Sequence, residues 1–373
     1  MPLNMLKYNC IHFPGDKPCK FHKLTGIKCN HCKNYNKINY KILIIKLDSL
    51  GDVLRTTCIL PPLKLKYPDS YVSWYTRKEA KEIFQNNEFV DEVKLLEEDV
   101  HFRLNNEYFN LIINLDTSKL SASIATFSKG KEKRGFLLHE KGYIYPTNEH
   151  AKLWLEMSAF DDVKKRNEKT YQQIIYDILE LKYEIALPIL HLTNIEKEFS
   201  CKIQQNNGSN QRILMGLNTG TGKRWPNKTW PIENWENFIR LVDCTEYKIL
   251  LLGGREEKER NEYLAKKFPK VVNTGHNNSI REFASIVNAC DVIITADTFA
   301  LHIATALEKS IIALFGPTSM NEISLYGKGI KIRADTDCFC YYNRVCTHSP
   351  SCMESIDPEL VFRKFNDIIK IIK

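Results

Sequence analysis

The chain has no apolar run approaching the roughly 18 residues that a membrane-spanning helix needs, so no such helix is expected in it. Residues 1–16 lack the apolar core of a secretory signal, so the expected place is the cytoplasm. Neither G-x-x-x-x-G-K-[ST] nor G-x-G-x-x-G occurs, which removes the P-loop and the usual dinucleotide fingerprint. No DxD-type carboxylate pair clearly dictates a catalytic Mg²⁺, and none is expected. Between positions 17 and 41 there are seven lysines and no acidic residue.

What is present is enough for two α/β domains: 373 residues, 43% hydrophobic and 26% charged. A formal net charge of +8 suits a partner carrying phosphate, or an anionic lipid surface met peripherally. Short apolar runs ending in small or acidic residues alternate with helical patterns. Strands are expected at 42–47, 71–75, 93–96 and 111–115, then at 213–217, 248–252, 271–272, 292–295 and 311–315. Helices are expected at 79–85, 170–181, 256–268, 279–288 and 300–307. Residues 117–170 read as mixed, and the Asn-, Gly- and Ser-rich stretch 204–211 reads as a linker. This alternation predicts two parallel sheets with helices on both faces, separated by a cleft.

The first strand runs straight into Asp48-Ser49-Leu50-Gly51-Asp52. Ligands in such sheets bind beyond the carboxyl ends of the strands. Gly51 permits a tight turn. Asp52 then opens a helix, either as a cap or as a base for deprotonating a hydroxyl. The second half shows three strand-to-loop junctions of small and polar residues, at 218–222, 296–298 and 315–319. Loops of this kind offer backbone N–H groups to an anion, and Lys223, Arg224 and Lys228 follow the first of them.

Four segments together resemble glycosyltransferase family 9, the ADP-heptose:lipopolysaccharide heptosyltransferases. They are 42–57 (ILIIKLDSLGDVLRTT), 216–235 (GLNTGTGKRWPNKTWPIENW), 250–260 (LLLGGREEKER) and 296–326 (ADTFALHIATALEKSIIALFGPTSMNEISLY). The resemblance spans residues 41–373 and implies a GT-B architecture of two Rossmann-like domains. It gives residues 41–205 to the acceptor and 206–373 to the nucleotide sugar, after a Cys-rich arm at 1–40. It places the catalytic base at Asp52 and a phosphate contact at Lys228. Donor contacts fall at Thr221, Asp297, Thr298, His302, Gly316, Pro317 and Thr318. Glu257, rather than its neighbour Glu256, is the expected ribose contact. Arg55 stands where many relatives have His and marks an acceptor contact. Phe299-Ala300 replaces the usual Gly-containing pair, and Thr219 stands where proline is common. The implied reaction is transfer of heptose from ADP-heptose to a lipopolysaccharide core sugar with inversion. A protein hydroxyl is the alternative acceptor, and a non-catalytic binder of nucleotide sugar or nucleic acid is the alternative of another class.

Twelve cysteines in a reducing compartment argue for metal rather than disulfides. Cys10, Cys19, Cys29 and Cys32 fall within 23 residues and suit tetrahedral zinc, or iron. His12, His22 and His31 are substitute ligands. Cys338, Cys340, Cys346 and Cys352 form a second, irregular cluster. The basic, aromatic-bearing arm could also meet nucleic acid, though this is a weaker reading than a solvated surface.

Overall fold

The computed structural model describes residues 5–97, 104–207, 213–243, 245–336 and 341–372. Among the described residues, twelve strands form two six-stranded sheets. The first contains β1 (Tyr40–Ile45), β2 (Ser70–Thr76), β3 (Glu92–Leu95), β4 (Tyr108–Asn114), β5 (Lys129–Leu138) and β6 (Ile144–Pro146). The second contains β7 (Ile213–Asn218), β8 (Tyr247–Leu252), β9 (Val272–Asn273), β10 (Val292–Ala296), β11 (Ser310–Phe315) and β12 (Gly329–Arg333).

Their orders are β3-β2-β1-β4-β5-β6 and β12-β11-β10-β7-β8-β9. Counted from its own first strand, β7, the second sheet repeats the order of the first. Both are doubly wound sheets whose strand order reverses beside the first strand, where α/β proteins bind ligands. All pairings are parallel except β5 with β6. That antiparallel pair is a local hairpin inside the stretch expected to be mixed, which also contains helices Lys119–Phe127 and Glu149–Ala159.

The central strands are buried because both faces of each sheet are covered. Ile42, Ile44, Ile293 and Ile311 are wholly enclosed in one continuous core that includes residues of both halves. Leu43, Ile45 and Tyr75 face a second cluster, and Met215, Leu251 and Ile294 a third. Each buried aliphatic side chain of this size contributes about 1.5–3 kcal/mol. Period-2 alternation is therefore absent from these strands, as parallel sheets require.

The stretch expected to be a linker begins inside helix Asn194–Asn207, and 208–211 lie outside the described residues. That helix packs on helix Ile280–Ala289: Ser200 Oγ donates to Ser285 O at 2.8 Å and Gln204 Nε2 to Ala289 O at 3.1 Å. Arg281 reaches back to Glu196 at 2.6 Å. Two elements went unread at the end of the chain: β12 and helix Pro358–Ile372, which buries Val361, Phe365, Ile368 and Ile369.

The arm enters β1 at the end away from the loops that follow the strands. Tyr40 stacks on Tyr67 there, with centroids 4.5 Å apart. The expected zinc or iron site is not formed. No three His, Cys, Asp or Glu side chains among the described residues gather closely enough to hold a metal ion. The four cysteines stand on separate local backbone features: Cys10 in a backbone bridge with Lys37, Cys19 at the N-cap position of the short helix Lys20–Thr25, and Cys29 and Cys32 at the two ends of another turn. Of the second cluster, Cys338 and Cys340 lie outside the described residues.

Candidate active site

A cleft of about 880 Å³ lies beyond the carboxyl ends of the strands and is lined by both halves. On the first side, β1 delivers Lys46, then Asp48, and helix Leu50–Thr56 delivers Asp52 and Arg55. Ser49 is the N-cap of that helix. Its N–H and hydroxyl donate to Asp52 Oδ2 at 3.2 and 3.0 Å. Arg55 Nη2 holds Asp52 Oδ1 at 2.7 Å, and 32% of the Asp52 side chain remains exposed to the cleft. Asp52 is thus both the N3 carboxylate of a capping box and a cleft carboxylate. Burial works against its charge, but Arg55, then Lys46 and His302, hold it well below the usual carboxylate range.

Lys46 is buried against Asp116, which stands just after β4. Asp116 Oδ2 also accepts Leu47 N–H at 2.6 Å. Burial opposes the Lys46 charge, yet Asp116 keeps it strongly in favour of the ammonium form. This ion pair fastens the Asp52 loop to the neighbouring strand. It was not singled out from the sequence, because its partners are 70 residues apart and only the β1–β4 pairing brings them together.

The two halves meet at the cleft floor. Helix Leu50–Thr56 packs against helix Phe299–Ala306. A Cβ on Gly51 would come within 2.5 Å of His302 Cδ2, so the glycine is there for the close approach of the two helices. Nearby, Tyr171 N–H donates to Glu322 O at 2.9 Å, joining helix Tyr171–Leu179 to the loop after β11.

On the second side, Lys228 Nζ donates to Asp297 Oδ2 at 2.8 Å and to Asp297 O at 3.0 Å. Burial opposes ionisation of Asp297, but Lys228 and then His302 bring it down to about 2. His302 Nε2 lies 4.0 Å from Asp297 Oδ1. Burial, then Arg55, lowers His302 to about 4 against the pull of Asp297 and Asp52, so the imidazole is neutral at ordinary pH. Thr298 N-caps its helix, and its hydroxyl joins those of Thr295 at 2.9 Å and the Asn218 amide at 3.3 Å.

Thr221 Oγ1 donates to Trp225 O at 2.9 Å beside Thr229. Glu257 accepts Gly254 N–H at 2.8 Å and Gly222 N–H at 3.1 Å, tying two donor-side loops together. A Cβ on Gly220 would strike the Glu257 carboxylate at 2.5 Å. Glu256 instead faces out toward Lys223 at 3.2 Å. Thr221, Lys228, Glu257, Asp297, Thr298 and His302 all line the cleft. Gly316, Pro317 and Thr318 sit just behind it: Gly316 packs on Met353, Pro317 O accepts Tyr342 N–H, and Thr318 is buried. Ser319 is the residue of that loop that reaches the wall. Lys164, Glu322 and Tyr342 close one end, with Lys164 Nζ 4.0 Å from the Tyr342 ring centroid and 3.6 Å from Glu322. These three were not read from the sequence. They come from stretches without periodic pattern and converge only in the folded chain.

The arrangement places a charged carboxylate opposite a lysine, glycine loops and the N-terminal ends of helices Ile280–Ala289 and Phe299–Ala306. It can hold an anion on one side and a hydroxyl on the other.

Comparison with known proteins bears on the family and the fold. The profile described as glycosyltransferase family 9 (heptosyltransferase) matches residues 100–350. The chain is 25% identical over 294 residues to lipooligosaccharide heptosyltransferase 2 of Haemophilus influenzae, covering 74% of this chain and 84% of that protein. It is 24% identical over 320 residues to lipopolysaccharide heptosyltransferase 1 of Salmonella typhimurium, covering 77% and 92%. In fold it is similar to a family 9 glycosyl transferase from Veillonella parvula, with a TM-score of 0.74 at 17% identity over 89% of this chain and 98% of that one. An E. coli heptosyltransferase solved with ADP-2-deoxy-2-fluoro heptose has a TM-score of 0.59 at 17% identity, covering 88% and 99%. An iron-containing dodecameric heptosyltransferase, TibC, has a TM-score of 0.56 at 10% identity, covering 89% and 78%.

Proposed function

The chain belongs to glycosyltransferase family 9, the heptosyltransferase family, and from that premise we propose that it transfers heptose from ADP-heptose to a sugar hydroxyl of the lipopolysaccharide core. The observation that carries this reading is one cleft lined by Asp52 from the first sheet and by Lys228 and Asp297 from the second. The relatives named as lipopolysaccharide and lipooligosaccharide heptosyltransferases support the donor and the acceptor class.

Asp52 is the general base. Being firmly ionised, it is ready to receive a proton but weakly basic. Proton transfer therefore comes late, when the attacking hydroxyl has become acidic by bonding to the anomeric carbon. Attack from the face opposite the diphosphate inverts that carbon through an oxocarbenium-like transition state. Lys228 has three N–H donors and spends two on Asp297. The third, with the N-terminal ends of helices Ile280–Ala289 and Phe299–Ala306, meets the negative charge that grows on the departing ADP. His302, neutral, serves as a hydrogen-bonding group beside Asp297 and not as a cation. Thr221, Thr298 and Glu257 line the sugar and ribose end. Gly316, Pro317 and Thr318 support that wall from behind, and Arg55 faces the acceptor. No step uses a metal.

In this reading, residues 41–205 hold the acceptor and 206–373 the donor. Transfer takes place at the cytoplasmic face of the inner membrane. No helix among the described residues is long and apolar enough to cross a membrane. A protein hydroxyl as acceptor keeps the same chemistry. The test is a thermal-shift panel of nucleotide sugars followed by transfer assays to core oligosaccharide and to a protein acceptor. Selective stabilisation by ADP-heptose with transfer to core sugar is expected. Selective stabilisation by a UDP- or GDP-sugar would overturn the donor assignment.

A further inference from the structure

Asp52 does not stand free in the cleft. Both carboxylate oxygens are engaged, Oδ1 by Arg55 and Oδ2 by Ser49. The Arg55 guanidinium lies over the Tyr171 ring, 3.7 Å from its centroid, and only 12% of its side chain is exposed. Tyr171 is itself fixed. Thr56 Oγ1 donates to Asp52 O at 2.6 Å, so in the 2.7 Å contact between the two hydroxyls Tyr171 is the donor. A carboxylate paired this closely is a poor proton acceptor.

The other domain offers Arg55 a second host. Glu322 O accepts the N–H of Tyr171, the residue over whose ring the guanidinium lies, and Arg55, Glu322 and Asp297 line the same cleft. Asp297 is already engaged by Lys228. Glu322 is 4% exposed, lines the cleft, and has an Oε1 with no hydrogen-bond partner. Its cation, Lys164, stands off at 3.6 Å. Burial lifts Glu322, while Lys164 and then Arg55 pull the other way, so a guanidinium arriving there steadies its charged form. Lys46, just after β1, and His302, on helix Phe299–Ala306, also act on Asp52.

We propose that Arg55 is a positioning residue that keeps Asp52 paired until the acceptor hydroxyl takes its place on Oδ1, the guanidinium then passing to Glu322. This rests on Asp52 being the base of the transfer reaction. The acceptor proton goes to Asp52, the acceptor oxygen bonds to the anomeric carbon, and the bond to the diphosphate breaks with its electron pair leaving on ADP. Pairing until arrival has a consequence: water alone does not release the base, so ADP-heptose is protected from hydrolysis when no acceptor is bound.

The test compares Arg55→Met, Arg55→Lys, Glu322→Gln and Asn321→Ala in the full chain. Asn321 Nδ2 donates to Asn167 O at 2.9 Å across the same two segments, so it reports on their docking alone. In Arg55→Met, the acid limb of kcat/KM should rise by about one pH unit or more, because burial of Asp52 is then less opposed. Hydrolysis of ADP-heptose without acceptor should rise too, and Arg55→Lys should restore both. Glu322→Gln should lower kcat at least tenfold with the acid limb unmoved, while Asn321→Ala does neither. A ¹³C NMR titration of the Asp52 carboxyl, assigned with Asp52→Asn, reads the pairing even if no transfer is found. An Asp52 midpoint identical in wild type and Arg55→Met would overturn the pairing role. Normal kcat in Glu322→Gln would overturn the hand-over.

Discussion

The two sides of the cleft are built by different means from the same strand order. The first side is made of side chains. Lys46 with Asp116 and Asp52 with Arg55 are close ion pairs, and Ser49 completes the carboxylate. The second side is largely made of backbone: loops at Gly220–Gly222 and Gly253-Gly254 tied by Glu257, and two helix N-terminal ends, with Lys228 and Asp297 as its charged pair. In the proposed mechanism, one Rossmann-type sheet supplies a proton-handling site and its twin an anion cradle. The shared fold decides where the loops are, and the residues in those loops decide the chemistry.

The sharpest break of this division is Asp52→Asn. If the first side does chemistry and the second binds donor, kcat falls by about 10²–10⁴-fold while the ADP-heptose Kd stays within a few-fold, by calorimetry. A comparable loss of donor affinity would mean that the first side also holds the donor. Next is His302, which the second side sends across to Gly51. Its ordinary value is 6.5 and its value in the fold about 4. Below about pH 6.5 the unfolded chain takes up a proton that the folded chain refuses, so stability falls as pH drops toward 4. At about 1.4 kcal/mol per pH unit the full effect is about 3 kcal/mol. His302→Gln should flatten the Tm decline between pH 6.5 and 4, and equal declines in both proteins would remove the buried neutral imidazole.

The same contrast explains what could be read from the chain. The two sheets were legible because buried parallel strands are short apolar runs, as at Ile42–Ile45 and Ile311–Phe315. Asp52 was legible because a glycine and a carboxylate close such a run. Lys46–Asp116, Lys164–Glu322 and Tyr342 were not, since each joins segments distant in sequence through pairing or domain contact. The edge strand β12, with Ile332 its one buried residue, carries too little apolar signal to declare itself. Helix Pro358–Ile372 does carry the 3.6-residue period, with Val361, Phe365, Ile368 and Ile369 on its buried face. The cysteine arm misled because spacing alone cannot say where thiols point. Among the described residues no three His, Cys, Asp or Glu side chains gather to hold a metal ion.

Lys228→Met should strike the second side alone. Removing a charge-assisted hydrogen bond costs about 1.5–3 kcal/mol, which weakens ADP-heptose binding by about 10- to 150-fold. It also leaves Asp297 unpaired beside the diphosphate, which adds to the loss. Turnover at saturating donor should fall less than affinity does. If kcat collapsed while Kd held, Lys228 would belong with the chemistry and the division would be misdrawn.

The smallest expected effect is at Gly51, where the two sides touch. An alanine there gains up to about 1 kcal/mol of helix propensity, less in the first turn of Leu50–Thr56 than in mid-helix. Against this, its Cβ would sit 2.5 Å from His302 Cδ2, closer than van der Waals contact allows, with both helices packed in place. Overpacking of this kind costs about 1–3 kcal/mol, so the net result is a loss of about 0–3 kcal/mol and a Tm lower by a few degrees. Transfer should suffer more than stability, because His302 and Asp52 are both moved by the displacement. The double variant Gly51→Ala/His302→Ala removes the colliding ring and should recover the Tm, but not the transfer rate. A Gly51→Ala protein with raised Tm and unchanged transfer would show that the helices part freely, and the two sides would then be far less tightly joined than their contact implies.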